Sequence, residues 1–212
     1  NIKMWIHPLM NQELTGNGAG GIRQAGRYLL FGGTAFPKVE GQLTAKLKKL
    51  HNQIIDSTKE QLIVYILAGI SGGTGSGTII DIPYIIRQIC QENRWKVKIC
   101  SYLFLPDTYL KQSEHLKYNA YAALKEIDTL MNLGQMDGAA SFQATYQAGF
   151  TVNSQVKIFD SCVLISGKQA GIGTVANPDA YTRKVVVDNI VNMISDSTIT
   201  DAKTGKPTFL VN

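Results

Sequence analysis

Three short apolar runs, Leu62–Leu67, Val97–Leu105 and Cys162–Ile165, alternate with stretches of helical periodicity, and a glycine-dense segment follows the first run. Uninterrupted β-branched runs of this length suit strands covered on both faces, and helices between them make such strands parallel. The sequence therefore predicts an α/β fold, a layered Rossmann-like domain with a mostly parallel sheet flanked by helices.

Taken in order, Ile22–Leu30 and Gln42–Ile55 read as helices, the second from Leu43, Leu47, Leu50 and Ile54 at helical spacing. Leu62–Leu67 is bounded by charge before and glycine after, as a buried strand would be. Ile79, Ile82, Ile86 and Ile89 mark one face of a helix ending near Asn93, and Pro83 inside that pattern requires the helix to bend or start late. Val97–Leu105 is closed by Pro106-Asp107. Tyr118–Met131 is a helix with Leu124, Ile127 and Leu130 inward. Ser141–Val152 alternates and predicts a hairpin, and Tyr181–Ser195 is the last helix. No internal repeat or low-complexity linker divides residues 1–212, so one domain is expected.

The 212 residues are 44% hydrophobic and 17% charged, which excludes a disordered tail, a collagen-like repeat and a coiled coil. No apolar run reaches the length of a membrane-spanning helix. The net charge of +5 is dispersed apart from Lys46-Leu47-Lys48-Lys49, a pattern that reads as a solvated face and argues against nucleic acid as a partner. Cys90, Cys100 and Cys162, with His7, His51 and His115, are too scattered for a zinc site or a disulfide framework, so a reducing, cytoplasmic location is expected. Asn1-Ile2-Lys3 does not begin with Met, and a piece of a longer protein is expected.

The chemistry is concentrated in Ser71-Gly72-Gly73-Thr74-Gly75-Ser76-Gly77, between a buried strand and a helix. So many small residues at a strand-to-helix junction let main-chain N–H groups approach one anion, with Thr74 and Ser76 adding hydroxyl donors; a di- or triphosphate is the natural occupant. Gly77 is followed by Thr78 rather than the lysine of a Walker loop, so charge compensation must come from main-chain dipoles, a cation or another chain. A tight glycine turn without ligand is the plain alternative. A second loop, Thr15–Gly21, contains Gly16-x-Gly18-x-x-Gly21, the spacing of a dinucleotide fingerprint. A nicotinamide-dependent oxidoreductase is one reading of it, but no buried strand precedes it and no acidic residue closes a following strand. Convergence of both loops on one polyphosphate fits better.

The heptapeptide Ser71–Gly77 resembles the glycine signature of the tubulin/FtsZ superfamily of GTPases, with Ser71 where most members have Gly. Gly18-Ala19-Gly20-Gly21 followed by Gly26-Arg27 is similar to the family's loop facing the third phosphate, and Glu114 with Tyr118-Asn119-Ala120 to its ribose segment. The detailed likeness is greatest to the large bacterial tubulin-like proteins.

The resemblance implies a GTP/GDP site with Mg2+, self-association head-to-tail into filaments, and hydrolysis completed by the neighbouring subunit. It also implies that the family's first strand and loop lie before Asn1 and its activation domain after Asn212. The nucleotide-contacting residues would be Gly18, Ala19, Gly20, Gly21, Ser71, Gly72, Gly73, Thr74, Gly75, Ser76, Glu114, Asn119 and Tyr181. Ala19 and Gly20 would present amides to the third phosphate or form a plain helix-entry turn. Glu114 would accept a ribose hydroxyl or be solvated. Asn119 would bond ribose or base, or cap its helix. Tyr181 would stack on guanine or sit at the core rim. Asp107 reads as a strand terminator, and Arg23 and Arg27 would contact phosphate or a partner or else lie at the surface. No residue reads as a general base, and phosphoryl transfer does not require a local one. A non-hydrolysing nucleotide-binding scaffold on the same fold is the competing function.

Overall fold

The computed structural model describes residues 18–31, 35–53, 61–108, 114–135, 140–147 and 149–195. The expectations that fall on Gly16, Ile54, Ile55 and the last seventeen residues lie outside them.

The elements follow in the order α1 (Arg23–Phe31), α2 (Ala35–His51), β1 (Leu62–Gly69), α3 (Thr74–Thr78), α4 (Ile82–Glu92), β2 (Val97–Phe104) and a 3-10 turn at Pro106–Thr108. Then come α5 (Glu114–Met131), β3 (Phe142–Gln147), β4 (Phe150–Ser154), β5 (Ser161–Ile165), the short pair β6 (Lys168–Gln169) and β7 (Gly173–Thr174), and α6 (Pro178–Ser195). The central sheet has the order β1-β2-β5, all parallel, with Leu62 opposite Val97 and Cys100 opposite Ser161. This is the expected α/β architecture. β3 and β4 form an antiparallel hairpin with an irregularity between Thr145 and Gln147, as the alternation of Ser141–Val152 predicts.

One face of the sheet carries the main core, built from Ile99 and Leu103 of β2, Tyr84, Ile85, Ile86 and Ile89 of α4, Ile127 of α5 and Leu47 of α2. The hairpin closes this layer with aromatic rings: Phe142 stacks on Tyr84 at 4.1 Å, and Tyr146 lies against Phe31 at 4.6 Å and Phe36 at 5.0 Å. α6 covers the other face over β2 and β5, through Val186 against Tyr102 and Ile165. β1 projects Ile63 and Leu67 from that face, about half exposed.

Helix bounds depart from expectation at α2 and at α5, which begins at Glu114 rather than Tyr118. α2 begins at Ala35 rather than Gln42, with Phe36 buried; Leu47 points inward but Leu50 is 53% exposed, because the packed stripe ends one turn earlier. The signature helix is broken in two, as Pro83 requires. α3 ends at Thr78 and α4 restarts at Ile82 with the proline in its first turn, where its missing N–H has no intrahelical acceptor to lose.

Candidate functional site

β1 ends at Gly69, and Ile70 donates its N–H to the Phe104 carbonyl of β2 at 3.2 Å. The next main-chain donor inside the segment is Gly77, whose N–H reaches the Gly73 carbonyl at 2.9 Å. Between them, the N–H groups of residues 71–76 reach no acceptor among the described residues. Unpaired amides in a tight loop are costly to leave without a partner and form a natural oxyanion cradle. Ser71 adds a buried hydroxyl with no hydrogen-bond partner.

The glycines divide by role. A Cβ on Gly72 would meet nothing within 4 Å, so this position is open to a ligand. A Cβ on Gly73 would lie 2.7 Å from Ala19 Cβ and from Ile22 N. On Gly75 it would strike the Gly69 carbonyl, and on Gly77 the Arg23 carbonyl. Gly26 of α1 likewise leaves no room for a methyl group against the Gly73 carbonyl. Much of the glycine density therefore serves the close approach of α1 to α3. Of these positions only Gly72 also fits an approach by solute.

The second loop lies beside the first. Gly18, Gly20 and Gly21 all have φ between +56° and +80°, a conformation that favours glycine. The loop closes through Ile22 N–H to the Ala19 carbonyl at 2.9 Å. Ala19 N–H donates to Thr74 Oγ1 at 3.2 Å, and Asn119 Nδ2 donates to both the Gly21 carbonyl at 2.7 Å and the Ser71 carbonyl at 2.9 Å. The structure thus brings Gly18–Gly21, Ser71–Gly75 and Asn119 together.

Not every candidate faces the glycine loops. Ser76 is fully buried; its Oγ accepts Arg23 Nε at 2.6 Å and lies 3.5 Å from the Asn119 carbonyl, so it faces the protein and not the cradle. Asn119 caps nothing, because α5 begins five residues earlier at Glu114. Glu114 is exposed at the head of that helix. Tyr181 lines a separate hollow of about 460 Å³ between β5 and α6, with Ser166, Lys168 and Asn189. Asp107 does more than end a strand: it accepts Ser166 Oγ at 2.6 Å and Gly167 N–H at 3.2 Å, pinning the exit of β5. The residues before Gly18, on which the strand of a dinucleotide fingerprint would fall, lie outside the described ones.

Arg23 and Arg27 are interior ties and not free surface groups. Arg23 pairs with Glu126 of α5 besides Ser76, which fastens α1, α3 and α5 together. Arg27 pairs with Asp81, which has no exposed surface and also accepts the Tyr146 hydroxyl at 2.9 Å. Burial raises the Asp81 carboxyl above its ordinary value, while Arg27 and Tyr146 pull it back. His115 is a further neighbour that the sequence did not disclose, since a Cβ on Gly21 would come within 3.1 Å of its Nε2. Its position one residue after Glu114 was the available signal.

An α/β layer with a glycine loop of unpaired amides at the carboxyl end of a parallel strand is a geometry suited to an oxyanion. The family is settled by the sequence as a whole: the family model described as "Tubulin like" matches residues 1–208, and this chain belongs to the tubulin-like family.

Solved structures to which the chain is similar include those of TubZ of Bacillus thuringiensis serovar israelensis. The GTPγS-form protofilament is 18% identical at TM-score 0.47, covering 87% of this chain and 43% of that one. A helical TubZ-Bt two-stranded filament is 19% identical at TM-score 0.49, covering 90% and 43%. The GDP-form protofilament is 16% identical at 0.41, covering 84% and 40%. The chain spans about two fifths of the length of these structures. No curated protein matches the sequence.

Proposed function

We propose that this chain is the nucleotide-binding portion of a cytoplasmic tubulin-like GTPase that holds GTP or GDP between the Gly18–Gly21 and Ser71–Gly75 loops and assembles head-to-tail into filaments. The observation that carries the reading is the run of unpaired amides over residues 71–76, next to the open face of Gly72 and the orphan hydroxyl of Ser71. Membership of the tubulin-like family supports the guanine base and the filament. Gly72 and Gly73 belong to the run of unpaired amides, and the next residue, Thr74, accepts the Ala19 N–H on its Oγ1. Among the described residues no three His, Cys, Asp or Glu side chains converge, so a Mg2+ ion would be held through phosphate oxygens and water, the usual way this ion sits beside a nucleotide.

Hydrolysis is assigned to the neighbouring subunit. Two acidic groups packed against α1 are committed to arginines, Glu126 to Arg23 and Asp81 to Arg27, which leaves neither of these two free to activate water. The same observation favours, as second reading, a scaffold that binds nucleotide without turnover. Titration with GTP and with ATP tests the binding: GTP is preferred, and equal or absent binding rejects the guanine site. Turnover that rises with protein concentration supports assembly-dependent hydrolysis, and binding with no turnover at any concentration supports the scaffold.

A further inference from the structure

Asn119 projects from the second turn of α5, and its amide group donates to the carbonyls of Gly21 and Ser71, residues 98 and 48 positions away. Both hydrogens of one NH2 group are used, one on each glycine loop. The consequence lies in the peptide units that carry those carbonyls. In a trans peptide the C=O of one residue and the N–H of the next point in opposite directions. Drawing the Ser71 carbonyl toward α5 therefore turns the Gly72 N–H the other way, away from α5, at a residue whose Cβ position meets no atom within 4 Å. Drawing in the Gly21 carbonyl turns the Ile22 N–H toward the Ala19 carbonyl, its partner at 2.9 Å. Glycine at 72 would otherwise let the 71–72 peptide flip with little resistance.

We infer that Asn119 is a positioning residue of the nucleotide site, acting through the Ser71–Gly72 and Gly21–Ile22 peptides rather than on ribose or base. This rests on the proposed nucleotide site and specifies how that site is held. Its ligand is the phosphate chain, so its loss should weaken binding of any polyphosphate, with or without a nucleoside.

The test uses the full chain, with Asn119→Ala, Asn119→Asp and the exposed Tyr121→Ala as control, titrated with GTP and with inorganic tripolyphosphate. Asn119→Ala should weaken both about tenfold, as expected for two lost hydrogen bonds. Asn119→Asp should weaken both further, because its carboxylate faces two carbonyl oxygens, and Tyr121→Ala should change neither. Amide exchange at Ile22, measured without ligand, should accelerate in both Asn119 variants. If the alanine variant does not fold, Asn119→Ser, which keeps one donor, should show a smaller loss of the same pattern.

A penalty for GTP that vanishes for tripolyphosphate places Asn119 on the nucleoside and overturns the inference, as does unchanged affinity. A wild-type chain that binds neither compound rejects the nucleotide site itself. The Ile22 exchange then still reports on the tie, and unchanged protection rejects that too.

Discussion

Arg27 grips Asp81 at two points, Nε on Oδ2 and Nη2 on Oδ1, each at 2.9 Å, and the carboxylate it grips has no exposed surface. The pair joins α1, which follows the Gly18–Gly21 loop, to the turn between α3 and α4, and Tyr146 extends the tie to the hairpin. A buried pair of this kind contributes little beyond an apolar substitute, but breaking it strands one charge.

Asp81→Ala should therefore destabilise the protein by about 3–5 kcal/mol, since it leaves the Arg27 guanidinium without its carboxylate. Tyr146→Phe removes one hydrogen bond to a charged acceptor and should lower stability by about 1.5–3 kcal/mol. Urea unfolding of the two variants checks both the order and the sizes.

Gly72 and Gly73 are adjacent but should respond oppositely to a methyl group. Gly73→Ala forces a Cβ to 2.7 Å from Ala19 Cβ, and overpacking of this kind should lower stability by about 1–3 kcal/mol. Gly72→Ala meets no protein atom within 4 Å and should leave stability within about 0.5 kcal/mol while reducing nucleotide affinity. Thermal melts beside a GTP titration separate the two effects.

Burial pushes the Cys90 thiol up to about 11, against an opposing pull from Arg87. The unfolded chain ionises this thiol near its ordinary 9.0 while the native protein keeps the proton. The stability contribution is thus intact below pH 9 and declines as pH rises toward 11, because ionisation favours the unfolded chain. Cys90→Ala should flatten that part of the stability curve. Native protein at pH 8 should also leave Cys90 unalkylated by iodoacetamide.

Tyr102 donates its hydroxyl to Asn189 Oδ1 at 2.7 Å, a polar bond between β2 and α6. Tyr102→Phe should lower stability by about 1 kcal/mol and leave nucleotide affinity unchanged, because this contact lies on the sheet face served by α6. A large loss of affinity would show that α6 takes part in the site.

Much of this was legible in the chain itself. The strands Leu62–Gly69 and Val97–Phe104 announce themselves as short, mostly apolar runs, although β1 leaves Ile63 and Leu67 half exposed on one face. The break at Pro83 follows from a missing N–H, and the glycine loop from its place between a strand and a helix. Local chemistry determines each of these, so spacing alone discloses them.

The tertiary structure decided what each of those residues is for. Gly73, Gly75 and Gly77 look identical to Gly72 in the sequence, yet they are required by contacts with Ala19, Gly69 and Arg23. Ser76 looks like a phosphate donor until Arg23 is brought onto its hydroxyl from 53 residues away. Asn119 becomes a tie only because α5 lies across both loops. A hydrogen bond or steric limit between distant segments leaves no periodicity along the chain, so it can be read only once the chain has folded.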